Sequence, residues 1–135
     1  MTDFETTATV RYADLDTYGH ANNAVYATLL EEARIDYFEE VLGVGREVSG
    51  LEGETGTVLA NLELSFERPI REPGAVTVAV DVSEPGTTSI PFEYEIRADG
   101  ETVATGETTL VVVDRESGES KPIPEVWRER IESGG

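Results

Sequence analysis

The sequence predicts an α+β domain in which one long central helix is wrapped by a curved antiparallel β-sheet of about five strands. Two observations carry this prediction. Residues Tyr26, Leu29, Leu30, Ala33, Tyr37, Phe38 and Val41 recur at three- and four-residue spacing, the mark of one buried helical face. From Val58 onward the apolar period changes to two, through stretches separated by proline and glycine. A helix with one apolar stripe and a sheet with one apolar face bury each other economically when the sheet curves around the helix.

Each element has its own warrant. Residues 6–13 are rich in β-branched and aromatic types and read as a first strand. A short polar turn leads to the helix, which is expected from Asn22 or Asn23 to Leu42, with Gly43 as its stop. Gly43 to Gly56 is glycine-rich and polar and reads as a loop. In the next strand Val58, Ala60, Leu62, Leu64 and Phe66 are placed on one face, with Asn61, Glu63, Ser65 and Glu67 on the other. Pro69 and Glu72-Pro73-Gly74 end it. Val76, Val78, Val80 and Val82 then alternate with Thr77, Ala79, Asp81 and Ser83. After Pro85-Gly86, Ile90, Phe92, Tyr94, Ile96 and Ala98 alternate with Glu93, Glu95 and Arg97. Asp99-Gly100 is a hairpin signal. The last strand, Thr102 to Val113, ends in Leu110-Val111-Val112-Val113, apolar on both faces and so central or at an interface. A short helix with Trp127 follows Pro122 and Pro124. These four strands are expected to be joined by tight turns.

Composition narrows the function classes. The 135 residues fit one domain spanning 1–135, and 39% hydrophobic content excludes disorder. No apolar run reaches bilayer length, and the acidic start Met1-Thr2-Asp3-Phe4-Glu5 is unlike a signal peptide. No membrane partner is expected, and the expected location is cytoplasmic. With no cysteine, disulfides, thiolate nucleophiles and cysteine-ligated metals are excluded. One histidine alone makes no metal site, and no cofactor is implied. Twenty-eight acidic residues against ten basic ones give a formal net charge of −18, a poor field for nucleic acid. The acids are dispersed and Lys121 is the only lysine. That combination favours adaptation to a salt-rich cytoplasm over ordinary acidic solubility.

Chemistry concentrates between the first strand and the helix. Asp14, Asp16, His20, Asn22 and Asn23 fall within ten residues, just before a helix N-terminus whose first N–H groups lack intrahelical partners. The pattern Tyr12-x-Asp14-x-Asp16-x-x-Gly19-His20-x-Asn22-Asn23-x-x-Tyr26, closing with Glu32-Ala33-Arg34, resembles the signature of hotdog-fold thioesterases. The likeness is sharpest to the 4-hydroxybenzoyl-CoA thioesterase-like branch, with an echo of acyl-carrier-protein thioesterases in His20-x-Asn22-Asn23. It is detailed over residues 11–38; elsewhere only the order of elements matches.

By type and position alone, Asp16 reads as a turn former or helix cap. The resemblance makes it the catalytic carboxylate, either attacking a thioester carbonyl or drawing a proton from water. Asp14 reads as a structural residue that fixes the loop. His20 reads as a packing or hydrogen-bonding residue, and by resemblance, with Gly19, as pocket lining. Asn22 reads as the N-cap. Asn23 by resemblance offers its backbone N–H to the thioester oxygen, forming an oxyanion hole. Glu32 reads as a partner of Arg34 or of a neighbouring loop. Arg68 and Arg71 are the best-placed cations for coenzyme A phosphates, with ion pairs to Glu67 or Glu72 as the alternative. Tyr12 and Tyr18 are pocket candidates, and Tyr26 belongs to the core.

The resemblance thus implies a cofactor-free hydrolase of acyl-CoA or another acyl thioester, with its site between subunits. A single helix covering strongly apolar strands points to a homodimer or homotetramer. A non-catalytic acyl-CoA-binding protein is the alternative. A hotdog enoyl-CoA hydratase fits less well, because that class resembles Asp-x-Asn-Pro-x-His and no Asn-Pro separates Asp16 from His20.

Overall fold

Strand β1 runs from Phe4 to Val10. It stops three residues short of the expected end because Asp14 captures the Arg11 backbone N–H at 2.8 Å and the Arg11 guanidinium at 3.0 Å. That bends Tyr12–Asp14 into a 3-10 turn. The computed structural model describes residues 4–43 and 55–133. Helix α1 spans Asn23–Tyr37 and is capped by Asn22, whose side-chain oxygen accepts from the Ala24 N–H at 2.9 Å. The expected continuation to Leu42 is present but π-helical over Phe38–Leu42, and Gly43 closes it. The wider turn lets Phe38, Val41 and Leu42 all turn inward.

The loop expected over Gly43 to Gly56 lies largely outside the described residues. Its last two positions already belong to β2, Thr55–Phe66. Three further strands follow: β3 at Gly74–Val82, β4 at Ser89–Ala98 and β5 at Glu101–Asp114. All neighbours are antiparallel, and the order across the sheet is β1-β3-β4-β5-β2. The tight turn holds for β4–β5, where Asp99 and Gly100 both take positive φ, but β3 and β4 are joined by a longer loop over residues 83–88. The β2–β3 link also differs from that expectation. The two strands are not neighbours, so residues 67–73 must pass the ends of β5 and β4.

The faces of β3 and β4 are as expected: Val76, Val78, Val80, Phe92, Tyr94 and Ile96 are buried toward α1. In β2 the assigned face is wrong at its start. A bulge between Leu59 and Asn61 shifts the register, so Leu59 pairs with Leu110 and Leu62 with Thr108. Leu59 therefore shares the inner face with Leu62, Leu64 and Phe66, while Val58, opposite Val111, faces outward.

The helix lies on the sheet where the sheet has no side chain. A Cβ at Gly106 would stand 2.8 Å from Leu30 Cδ1 and 3.2 Å from the Glu63 carbonyl oxygen. Any larger residue there would lift α1 from β5. Tyr37 and Phe92 meet edge to face at 5.5 Å, and Phe38 meets Trp127 at 5.7 Å. Trp127 belongs to α2, Glu125–Glu132, which caps the π-helical end and is tied down where Arg128 donates to the Gly86 carbonyl at 2.7 Å. Truncating a core side chain such as Leu30 would cost about 2–5 kcal/mol. One helix held in a curved five-stranded antiparallel sheet is the hotdog arrangement.

Candidate active site

The loop before α1 is a miniature hairpin. Leu15 bridges Ala21, the Asp16 N–H donates to the His20 carbonyl at 2.9 Å, and the Gly19 N–H donates to the Asp16 carbonyl at 3.0 Å. Gly19 turns the chain at φ +82°, where a side chain would meet no neighbour but a left-handed backbone is disfavoured. The sequence between the strand and the helix is short and polar, so its own hydrogen bonds shape it.

Within this hairpin the Asp16 carboxylate accepts from the Tyr18 backbone N–H at 2.8 Å. Its other oxygen stands 3.7 Å from His20 Nδ1. The Asp16 side chain remains a quarter exposed, so it is anchored by one oxygen and open on the other. His20 stacks on Tyr18, ring centroids 6.1 Å apart. Asp14, two residues earlier, is spent on Arg11; hydrogen bonding to that arginine holds its carboxyl below the usual aspartate range. Asp14 is thus the loop-fixing residue the sequence suggested.

Asn22 turns the chain into α1: its backbone N–H donates to the Asp14 carbonyl at 3.1 Å while its side chain caps the helix. Asn23 is the first helical residue and is exposed. Among the described residues its backbone N–H has no protein acceptor, as expected of a first-turn donor.

The passing β2–β3 segment is pinned against this loop. The Ala21 N–H donates to the Ile70 carbonyl at 2.7 Å, and the Ile70 N–H donates to the Tyr26 hydroxyl at 3.3 Å. Arg68 and Arg71, on either side of Ile70, are thereby brought to the same end of the molecule as Asp16. Arg68 pairs with Glu101 at 3.3 Å, not with Glu67 or Glu72. Both arginines line an open hollow of about 570 Å³ beside the β4–β5 hairpin. Tyr26 is buried as expected, whereas Tyr12 and Tyr18 are 82% and 81% exposed.

Two arrangements escaped sequence reasoning. Glu32 does not pair with Arg34; it lies with Arg11 and Asp14 on the β1 side of the helix. Arg34 instead donates to the Tyr94 hydroxyl at 3.3 Å, and Tyr94 bonds Thr108 at 2.6 Å. No spacing signal links residues 34, 94 and 108; only the helix rotation and strand register do. Among the described residues no group of three His, Cys, Asp or Glu could hold a metal ion, and no helix is long and apolar enough to cross a membrane.

A long helix in a curved five-stranded antiparallel sheet defines a hotdog protein. The chain belongs to the thioesterase-like superfamily, whose family model matches residues 10–131. A thioesterase of Thermus thermophilus, solved with coenzyme A and zinc, is 36% identical; the match covers 94% of this chain and 95% of that one, with a TM-score of 0.81. The PA2801 protein of Pseudomonas aeruginosa is 30% identical over 97% and 99% of the two chains, TM-score 0.87. The Synechocystis 1,4-dihydroxy-2-naphthoyl-CoA thioesterase shares the fold at 18% identity, TM-score 0.83, over 95% and 94%.

Proposed function

We propose that this protein is an acyl-CoA thioesterase of the 4-hydroxybenzoyl-CoA thioesterase-like type, with Asp16 as its catalytic carboxylate. One observation carries the reading. A carboxylate anchored through one oxygen lies in the hairpin that leads into α1, seven residues before an exposed first-turn residue whose N–H has no protein acceptor among the described residues.

The chemistry follows from those two groups. The thioester carbonyl oxygen accepts from the Asn23 N–H, where the positive end of the helix dipole favours developing negative charge. Asp16 either attacks the carbonyl carbon or takes a proton from a water that does so. The carbon–sulfur bond breaks, and the thiolate leaves and is protonated to free coenzyme A. In the attack route, water then hydrolyses the acyl–Asp16 anhydride. Gly19 shapes the turn, His20 lines the pocket beside Asp16, and Asn22 holds the helix start. Arg68 and Arg71 contact the coenzyme A phosphates, which suit the planar guanidinium fork. The similarity to a thioesterase solved with coenzyme A supports this substrate class.

The working unit is a homodimer or homotetramer paired through β2. That strand is a twelve-residue sheet edge whose Val58, Leu59, Leu62 and Phe66 are 41–50% exposed in the single chain. Dispersed acids and a single lysine support a salt-rich cytoplasm as its setting. Thiol release from a panel of acyl-CoA substrates tests the reading. Binding of acyl-CoA without release would favour the non-catalytic alternative, and hydration of an enoyl-CoA the hydratase.

A further inference from the structure

A second groove, of about 270 Å³, opens between α1 and β2, lined by Glu31, Arg34, Ile35, Phe38, Leu59 and Leu110 among others. It lies at the small end of ligand pockets, enough for a short acyl chain or one ring but not for coenzyme A. Its lining mixes apolar Ile35, Phe38, Leu59 and Leu110 with polar Glu31, Arg34 and Thr57.

Arg34 is set apart from the carboxylate-paired arginines by its place in this groove. Arg11, Arg68 and Arg97 each pair with a carboxylate at 3.0, 3.3 and 2.6 Å. Arg34 is half-buried, and among the described residues no carboxylate lies within 4.0 Å of it, Glu31 included. Its one described hydrogen bond goes to the neutral Tyr94 hydroxyl, itself held by the buried Thr108. A half-buried guanidinium with no carboxylate within 4.0 Å among the described residues is a charge-assisted donor for a ligand. The Tyr94–Thr108 pair holds one edge of the fork, and the Arg34 side chain lines the groove.

The position fits an acyl terminus. Phe66, at one end of β2, packs on Tyr26 near the helix N-terminus at 5.0 Å, while Thr57 and Leu59, near the other end, line the groove beside Arg34. Antiparallel pairing of β2 with a second copy would set the groove of one chain beside the α1 N-terminus of the other. We infer that this groove receives the far end of the acyl group and that Arg34 selects acyl groups carrying a carboxylate. The inference rests on the thioesterase reading and names its substrate class: coenzyme A monothioesters of short dicarboxylic acids.

The test compares two straight-chain acyl-CoA thioesters of equal length, one ending in a carboxylate and one in a methyl group, at constant ionic strength. The wild type is expected to favour the carboxyl-ended thioester at least about tenfold in kcat/KM, because a charged donor left unmatched by a methyl end discriminates strongly. Arg34→Met should lower that ratio about tenfold, and Arg34→Lys should restore part of it. Should Arg34→Met fail to fold, Thr57→Glu gives the second arm: a carboxylate built into the groove competes for Arg34 and abolishes the preference. Equal rates on both thioesters in the wild type, or a ratio unmoved by these substitutions, overturns the inference while leaving the thioesterase reading intact. Absence of thiol release from both thioesters and from a wider panel of aliphatic and aromatic acyl-CoA substrates sinks the thioesterase reading instead. Calorimetric binding of the same two thioesters then decides the groove's preference by itself.

Discussion

Glu63 and Glu107 face each other across the β2–β5 ladder and share a hydrogen bond, which raises the Glu107 carboxyl above its usual range. Glu93 pairs with Glu107 from the other side and Asp81 with Glu93, so four carboxylates form a row across β3, β4, β5 and β2. They lie on the outer face, away from α1.

This pair sets a pH signature. A carboxyl raised in the folded state binds protons more readily there than in the unfolded chain. Its ionisation therefore costs stability, and that loss is relieved as pH falls toward the raised value. Asp14 and Asp114 run the other way: their carboxyls are lowered by hydrogen bonds, Asp14 by Arg11 and Asp114 by the Ser117 and Glu116 N–H groups. Their contribution is complete above the ordinary aspartate range and is lost as pH falls through their depressed values. The melting temperature is expected to rise on mild acidification and collapse in stronger acid. Glu107→Gln should raise it at neutral pH and flatten the mild-acid rise; an unchanged pH profile would contradict the assignment.

Asp16→Asn keeps the shape of the side chain and removes its charge. Thioester hydrolysis should fall at least about a hundredfold, with an unchanged melt. Asp14→Asn should act through stability, since it weakens the tie to Arg11. If Asp16→Asn keeps near-full turnover, the catalytic carboxylate lies elsewhere, with Glu32 and His20 next in line.

The unpaired β2 edge should be mated in solution. Sedimentation at micromolar concentration is expected to give a dimer or a larger even assembly. Leu62→Lys, a charge on the exposed apolar edge, should shift it toward monomer. A folded, active wild-type monomer would rule out a site completed by a second copy.

Salt should act on stability, association and catalysis together. The Debye length falls from about 10 Å at 0.1 M to about 3 Å at 1 M, so repulsion along the carboxylate row and toward polyanionic substrate fades in molar salt. All three properties are expected to rise with potassium chloride into that range, followed by circular dichroism and thiol release. A cooperative melt and full activity in dilute buffer, with no gain on adding salt, would reject adaptation to high salt.

The helix, the faces of β3 and β4, and the Asp99-Gly100 turn were legible because period and turn chemistry are local. The bulge at Ala60 was not: one inserted residue leaves the alternation of apolar and polar types looking intact while moving Val58 to the other face. Proline and glycine marked the end of β2 but carry no information on which strand pairs with which, so the passage of residues 67–73 across the sheet end was missed. In the site, the Asp16–Asn23 loop was readable as one contiguous stretch. Arg68 with Glu101 and Arg34 with Tyr94 are separated by 33 and 60 residues, and only the fold joins them.

The carboxylate row also gives the molecule a sidedness. Two such sheets laid face to face would crowd four carboxylates from each copy into one narrow gap, where water is squeezed out and screening fails. The β2 rim offers backbone groups and apolar side chains with no such penalty. A second copy is therefore expected to extend the sheet in its plane rather than stack on the broad outer face.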